Sequence, residues 1–335
     1  MSTTAQEQKF VKVVHLRPTP DDFAGPDTIY FPGACYLLYT VQVPDFPEGD
    51  KWYQHNEDTL QRQKMNGLYT LCLADRIHLP PSPSLTITLY KRLCGGIREH
   101  VTHVWTATPN DASSTIVAKF YDPLYFRDEY DNTDPLRLAA WSAANEVRAY
   151  EKLQSLQGAC IPRCLGLYGT TLPEQGGRTV YVLLVEHVTG KDLRFLCEMG
   201  DEREKIVADY LCEKHRNAIF STIFRLVMDF ISLGVAHGDL APRNLIIKTP
   251  ARRGPFCSTE RCPARHEIDA DDVQAVMVDF ERVVFHDPKD QSLIDRYRER
   301  FVNAARKEYL CDWFRNMYEY PQPQRSSHGT GDWNT

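Results

Sequence analysis

Asp239 and Asn244 sit five residues apart on one short, turn-rich run, His237-Gly238-Asp239-Leu240-Ala241-Pro242-Arg243-Asn244. Leu245-Ile246-Ile247 follows as a predicted strand. A second predicted strand, Val276-Met277-Val278, ends in Asp279-Phe280-Glu281. Two carboxylates and an amide oxygen brought together at strand ends suit a hard divalent cation. Such a cation takes one or two carboxylates and completes its octahedron with phosphate oxygens and water. On this reading Asn244 and Asp279 hold the metal, and Asp239 takes a proton from a hydroxyl nucleophile. The plainer reading, in which Asp239 and Asn244 only cap a turn, leaves the Asp279 triplet without a role.

Elements earlier in the chain must carry the remaining parts of such a site. Leu85, Ile87 and Leu89 alternate with Thr86, Thr88 and Tyr90, which predicts a strand. Val101 to Thr108 and Thr115 to Tyr121 read as two more, separated by turns at Cys94-Gly95-Gly96 and Pro109-Asn110-Asp111. From Pro135 to Leu156 the spacing becomes helical, with Leu138, Trp141, Val147, Tyr150 and Leu153 on one side and Gly158 and Pro162 beyond the end. Leu165 to Tyr168 and Thr179 to Val188 are strands again, joined by the polar loop 172–177. The class is α+β: a five-stranded antiparallel sheet with one helix after its third strand, then a mostly helical part. Asn217 to Leu233 is the first helix of that part. The stripe Ile294, Tyr297, Phe301, Ala305, Tyr309, Trp313 and Met317 reads as core packing. Residues 1–83 read as an irregular extension closed by the linker Pro80-Pro81-Ser82-Pro83, and 319–335 as a disordered tail.

In this order, these motifs resemble the protein-kinase-like superfamily over roughly Leu85 to Phe285. H-x-D-x-x-x-x-N followed by D-F-x is similar to its catalytic loop and metal-binding triplet. Val117-Ala118-Lys119 resembles its lysine strand, and Glu146 stands where the ion-pair partner of that lysine would be, with Glu151 as the nearest rival. Val185-Glu186-His187-Val188 resembles its hinge. The resemblance implies a two-lobed domain over 84–318, with an N-lobe at 84–188, a reduced C-lobe at 189–318 and an inserted loop at 249–272.

It further implies ATP and Mg2+ as cofactors. Lys119, locked by Glu146, would hold the α- and β-phosphates. The Glu186 carbonyl and the Val188 amide would read adenine, and Asp192 would reach the ribose. Arg243 would stand in for the catalytic lysine's charge, and His237 would brace the loop. The acceptor would be a hydroxyl of a protein or a small molecule.

The departures point in several directions. The glycine-rich loop is reduced to Gly95 and Gly96. Gly238 replaces the arginine that answers activation-loop phosphorylation. D-F-E resembles choline and ethanolamine kinases, and H-G-D resembles aminoglycoside-type phosphotransferases. Only 54 residues (335 − 281) follow Glu281, too few for the usual peptide-docking helices. The combination is similar to truncated kinase-like proteins of filamentous fungi. The degraded glycine loop and altered triplet leave open a second class, a pseudokinase scaffold.

Composition narrows the rest. The 335 residues are 42% hydrophobic and 25% charged, with net charge −6 and pI about 6.0, so nothing suggests nucleic-acid or anionic-membrane binding. The N-terminus lacks the apolar run of a secretory signal, and Glu186 and His187 break the best apolar stretch. The expectation is a cytoplasmic or nuclear protein, not secreted, with its ten cysteines as free thiols. Cys257-x4-Cys262 with His266 nearby lacks the tight four-ligand spacing of a zinc site and reads as surface thiols. Cys160-x3-Cys164 reads as packing. Arg252, Arg253, Arg261 and Arg265 form a basic cluster on a solvated loop.

Overall fold

The computed structural model describes residues 26–46, 53–94, 102–110, 112, 114–126, 132–197, 211–296 and 299. Gly95 and Gly96, most of the stripe from Tyr297 onward, and the tail 319–335 lie outside the described residues.

The chain opens with a helical turn α1 (Pro26–Ile29), strand β1 (Cys35–Thr40), and two short helices, α2 (Glu57–Asn66) and α3 (Leu68–Ala74). Strands β2 (Leu85–Cys94), β3 (Thr102–Pro109) and β4 (Ile116–Tyr121) follow, then helix α4 (Pro135–Lys152) and strands β5 (Cys164–Leu172) and β6 (Arg178–Glu186). The remainder is β7 (Gly190–Asp192), α5 (Glu213–Ser232), β8 (Val235–His237), β9 (Leu245–Lys248), β10 (Ala275–Met277) and β11 (Val283–Phe285).

The expected five-stranded sheet is instead a closed six-stranded barrel in the order β1-β2-β3-β4-β6-β5. The sixth strand, β1, comes from the segment read as an irregular extension. It pairs antiparallel with β2 (Cys35↔Thr88 to Leu38↔Leu85) and with β5 (Tyr39↔Gly169, Thr40↔Tyr168). Its residues obey the two-residue period of a half-buried strand: Tyr36 and Leu38 are buried, while Leu37 faces out. Closure gives β2 and β5 a partner each, where an open sheet would leave edge strands.

The described residues divide into two compact units. One unit holds the described residues up to Ser114, Ala118–Trp141 and Tyr168–Val182. The other holds Thr115–Val117, Ser142–Leu167 and the described residues from Leu183 on.

The first unit is built around a buried ion pair. Arg178 and Asp122 are both fully buried, and the guanidinium donates to both carboxylate oxygens at 2.7 Å. Arg178 Nε donates to Gln175 at 2.6 Å. The Tyr30 hydroxyl donates to Asp122 at 2.6 Å, and the Leu124 amide does so at 3.0 Å. Burial raises the Asp122 pKa, but Arg178 and these hydrogen bonds outweigh it, so the carboxyl is held below its ordinary range. Every polar atom named here has a partner, which is the condition for tolerating charge in a core. Beside it, His103 stacks on Tyr30 at 4.9 Å.

In the second unit, α5 is the one long helix among the described residues after 189, so the expected mostly helical half is not what those residues form. Short strands supply the rest: β9 pairs with β10 on one side and β7 on the other, and β8 pairs with β11. The β9–β10 register runs from Leu245↔Met277 to Ala275↔Ile247. The long segment between these strands therefore leaves their pairing intact, as expected when closure entropy grows only slowly with loop length. Gly190 is required where β7 meets β9, since a Cβ there would lie 2.2 Å from the Ile247 carbonyl oxygen.

Candidate active site

The run from His237 to Asn244 connects β8 to β9 and closes in a 3-10 turn at Pro242–Asn244. His237 bridges its two sides. The Asp239 amide donates to His237 Nδ1 at 3.1 Å, and the opposite nitrogen lies 3.2 Å from the Val278 carbonyl. A carbonyl only accepts, so Nε2 carries the proton and Nδ1 is the acceptor: the ring is neutral. Burial agrees, holding His237 below the ordinary histidine range against the pull of Asp279 and Asp239. The Val278 amide donates to the Asn244 carbonyl at 2.9 Å. Both ends of the loop are thus tied to the residue just before Asp279.

Asp239 is held inside this frame. Arg243 donates to its Oδ2 at 2.7 Å, and Asn244 Nδ2 donates to the same oxygen at 3.2 Å and to the Asp239 carbonyl at 2.9 Å. Asp239 and Asn244 are buried, while the Arg243 side chain is 41% exposed. A carboxylate fixed by two donors at the mouth of a loop is oriented for proton transfer, since a base must be placed before its pKa matters.

The triplet Asp279-Phe280-Glu281 is locked by packing. Phe280 is fully buried, with its ring centroid 5.2 Å from His237, 5.3 Å from Tyr150 and 5.7 Å from Phe230. Three elements, α4, α5 and β8, thus grip one side chain. Asp279 has φ +68, the one positive-φ residue other than glycine among those described, in a region that aspartate and asparagine enter more easily than most. One helical turn before Tyr150, Asn145 donates to the Glu281 carbonyl at 2.8 Å and to the Val283 carbonyl at 3.1 Å. This pins α4 to the triplet and brings Glu146 alongside. One carboxylate oxygen each of Glu146, Asp279 and Glu281 lies within 4.8 Å of the others. Hard divalent cations bind such oxygens. Asn145 joins the site only in three dimensions, whereas Glu281 stands beside Asp279 in the D-F-E triplet itself.

Lys119 is buried on β4 in the first unit. Glu186 ends β6, with its carboxylate accepting the Arg163 amide at 3.0 Å, and Val188 follows in the connection to β7. Asp192 is the last residue of β7. It caps the 3-10 turn Leu193–Leu196, and Arg194 donates to both of its oxygens at 2.9 and 2.8 Å. A ribose hydroxyl would have to share that carboxylate.

Gly238 has a steric role that its sequence position did not show. A Cβ there would lie 2.0 Å from the Arg282 carbonyl oxygen, so the loop passes against the backbone beyond the triplet with no room for a side chain. Gly238→Ala is therefore expected to destabilise the protein by about 1–3 kcal/mol through forced separation of these segments. A urea midpoint equal to wild type would show that the loop yields freely instead.

No family model matches this chain, and no curated protein matches it in sequence. Among solved structures, it is similar to the kinase PK-1 of Cydia pomonella granulovirus at 14% identity and TM-score 0.36, over 59% of this chain and 55% of that one. It is also similar to WaaP in complex with acyl carrier protein, at 15% identity and TM-score 0.38, over 77% of this chain and 85% of that one. The chain thus spans little more than half the length of the viral kinase.

Proposed function

We propose that the chain is an ATP- and Mg2+-dependent phosphotransferase of the protein-kinase-like fold, moving the γ-phosphate to a hydroxyl of a protein or small molecule. The observation that carries this reading is the pair of tied segments: Asp239, fixed by Arg243 and Asn244, and Asp279, reached through Val278, to which both ends of the Asp239 loop are bonded. Asp239 is the group that orients the acceptor hydroxyl and receives its proton. Asn244 and Asp279 hold the metal, with Glu281 able to add a third oxygen. One carboxylate oxygen each of Glu146, Asp279 and Glu281 lies within 4.8 Å of the others, a donor set that suits a hard cation. Magnesium bound there would neutralise charge on the phosphate oxygens. By the resemblance, Lys119 and Glu146 would serve the phosphates and the Glu186 and Val188 backbone would read adenine; Gly95 and Gly96, the expected phosphate cover, lie outside the described residues. Among the described residues no helix is long and apolar enough to cross a membrane.

The test is nucleotide binding followed by thermal shift with and without magnesium, then ATP turnover, on wild type and Asp279→Asn. Asparagine tolerates the positive φ, so the substitution removes charge while sparing the backbone. The wild type should bind ATP more tightly with magnesium, and Asp279→Asn should lose most of that gain together with turnover. A wild type that binds nucleotide with no magnesium dependence and no turnover would overturn the enzyme reading in favour of a pseudokinase scaffold.

A further inference from the structure

Away from this site, four metal-binding side chains meet where the inserted loop touches the start of α5. One ligand atom each of Cys212, His215, Cys257 and Cys262 lies within 4.8 Å of all the others. Cys212 is the N-cap of α5 and His215 lies in its first turn, so the helix places both side by side. Cys257 and Cys262 come from the 249–272 segment. The distances match a coordination shell. His215 Nδ1 is 3.1 Å from Cys212 Sγ and 3.6 Å from Cys262 Sγ. Tetrahedral zinc, with Zn–S about 2.3 Å and Zn–N about 2.0 Å, separates its sulfur and nitrogen ligands by about 3.6 Å.

The surroundings prepare each donor. His215 is fully buried, and its Nε2 lies 2.7 Å from the Ile268 carbonyl. That carbonyl can only accept, so Nε2 carries the proton and the lone pair of Nδ1 is turned toward the thiols. Metal-bound histidines have this same outer hydrogen bond. The Cys212 amide donates to Cys262 Sγ at 3.5 Å, a contact that favours thiolate. A helix N-terminus favours a thiolate in the same direction.

We propose that Cys212, His215, Cys257 and Cys262 form a closed, structural zinc site that clamps the inserted loop onto α5. The sequence expectation of surface thiols rested on Cys257, Cys262 and His266 alone. The histidine of the cluster is His215, and the missing pair lies far back in the chain on a helix. Between Thr249 and Gln274 no described residue belongs to a helix or strand, and the loop's buried apolar side chains are few, Phe256, Ala264 and Ile268 among them. A metal crosslink supplies what so small a core lacks. Four protein ligands leave no open position, so the zinc is structural and takes no substrate. Binding releases the protons of the three thiols as they become thiolates. The proposal does not depend on the phosphotransferase reading.

The experiment uses the full chain, purified without chelator and analysed by atomic emission with magnesium in excess to occupy carboxylate sites. One zinc per chain is expected. Replacing it with cobalt should give tetrahedral d–d bands with thiolate-to-cobalt charge transfer, which carboxylates cannot produce. Stripping the metal should lower the melting temperature, and zinc alone should restore it. In Cys257→Ser the charge-transfer intensity should fall if the variant folds. If it does not, the wild-type cobalt spectrum decides by itself. Metal-free protein that gains no thiolate band with cobalt, or a disulfide between any two of these cysteines in the folded protein, would overturn the site.

Discussion

Asp239→Asn is expected to slow ATP turnover by about 10²–10⁴-fold, the usual contribution of a positioned general base, while magnesium-dependent ATP binding stays close to wild type. The geometry makes this a clean substitution. Oδ2 of Asp239 accepts from Arg243 at 2.7 Å and from Asn244 at 3.2 Å, and an amide oxygen in the same place keeps both donors. The His237 bridge to the Asp239 backbone is untouched. What disappears is the negative charge and the ability to take a proton. On the proposed reading, nucleotide and metal contacts belong to other residues, so affinity should hold. The contrast with Asp279→Asn is the diagnostic: one variant loses rate with binding retained, the other loses both. An Asp239→Asn enzyme that turns over at the wild-type rate would remove Asp239 from the reaction. A fall in unfolding midpoint matching the fall in rate would reduce it to a structural part of the loop.

The sequence exposed the parts of this site that are contiguous and left hidden those that depend on distant partners. His237, Asp239, Asn244 and Asp279 lie on two short runs whose residue types and following strands are readable without a structure. Strand alternation over 85–90 and helical spacing from Pro135 placed β2 and α4 within a few residues of their observed ends. The strand Cys35–Thr40 escaped because six residues among Pro, Tyr and Asp carry little periodic signal. What makes it a strand is pairing with Leu85–Thr88 and with Tyr168 and Gly169, contacts far along the chain. Gly238 was read as the loss of an arginine, whereas its reason is the Arg282 backbone 2.0 Å from a would-be Cβ. The cysteine cluster failed for a related cause. Spacing rules look for ligands near one another in sequence, and here a long chain segment separates the two pairs.

Arg178→Met is expected to destabilise the protein by about 3–5 kcal/mol, because it strips the cation from a carboxylate with no exposure to solvent. Nothing in the sequence marks Asp122 and Arg178 as buried, yet their doubly bonded pair at 2.7 Å anchors Tyr30, Gln175 and the Leu124 amide. The pH dependence should reverse as well, and the sign follows from the carboxyl. In wild type, Asp122 is held below its unfolded value of about 3.9, so its contribution is complete at neutral pH and is lost only as pH falls below about 4. Buried His103 acts in the same direction. Burial holds its ring below the unfolded value of about 6.5, so its neutral form stabilises fully above that pH and less as pH falls. Without Arg178, burial is opposed only by the Tyr30 and Leu124 hydrogen bonds and by His103, and Asp122 is expected to rise above its unfolded value. The carboxyl is then favoured in its protonated form, and the variant's deficit should grow as pH rises from about 4 toward neutrality. Urea midpoints of wild type and Arg178→Met at pH 5 and pH 8 would measure this. A deficit that is small, or equal at both pH values, would mean that water or another cation reaches Asp122 once the arginine is gone.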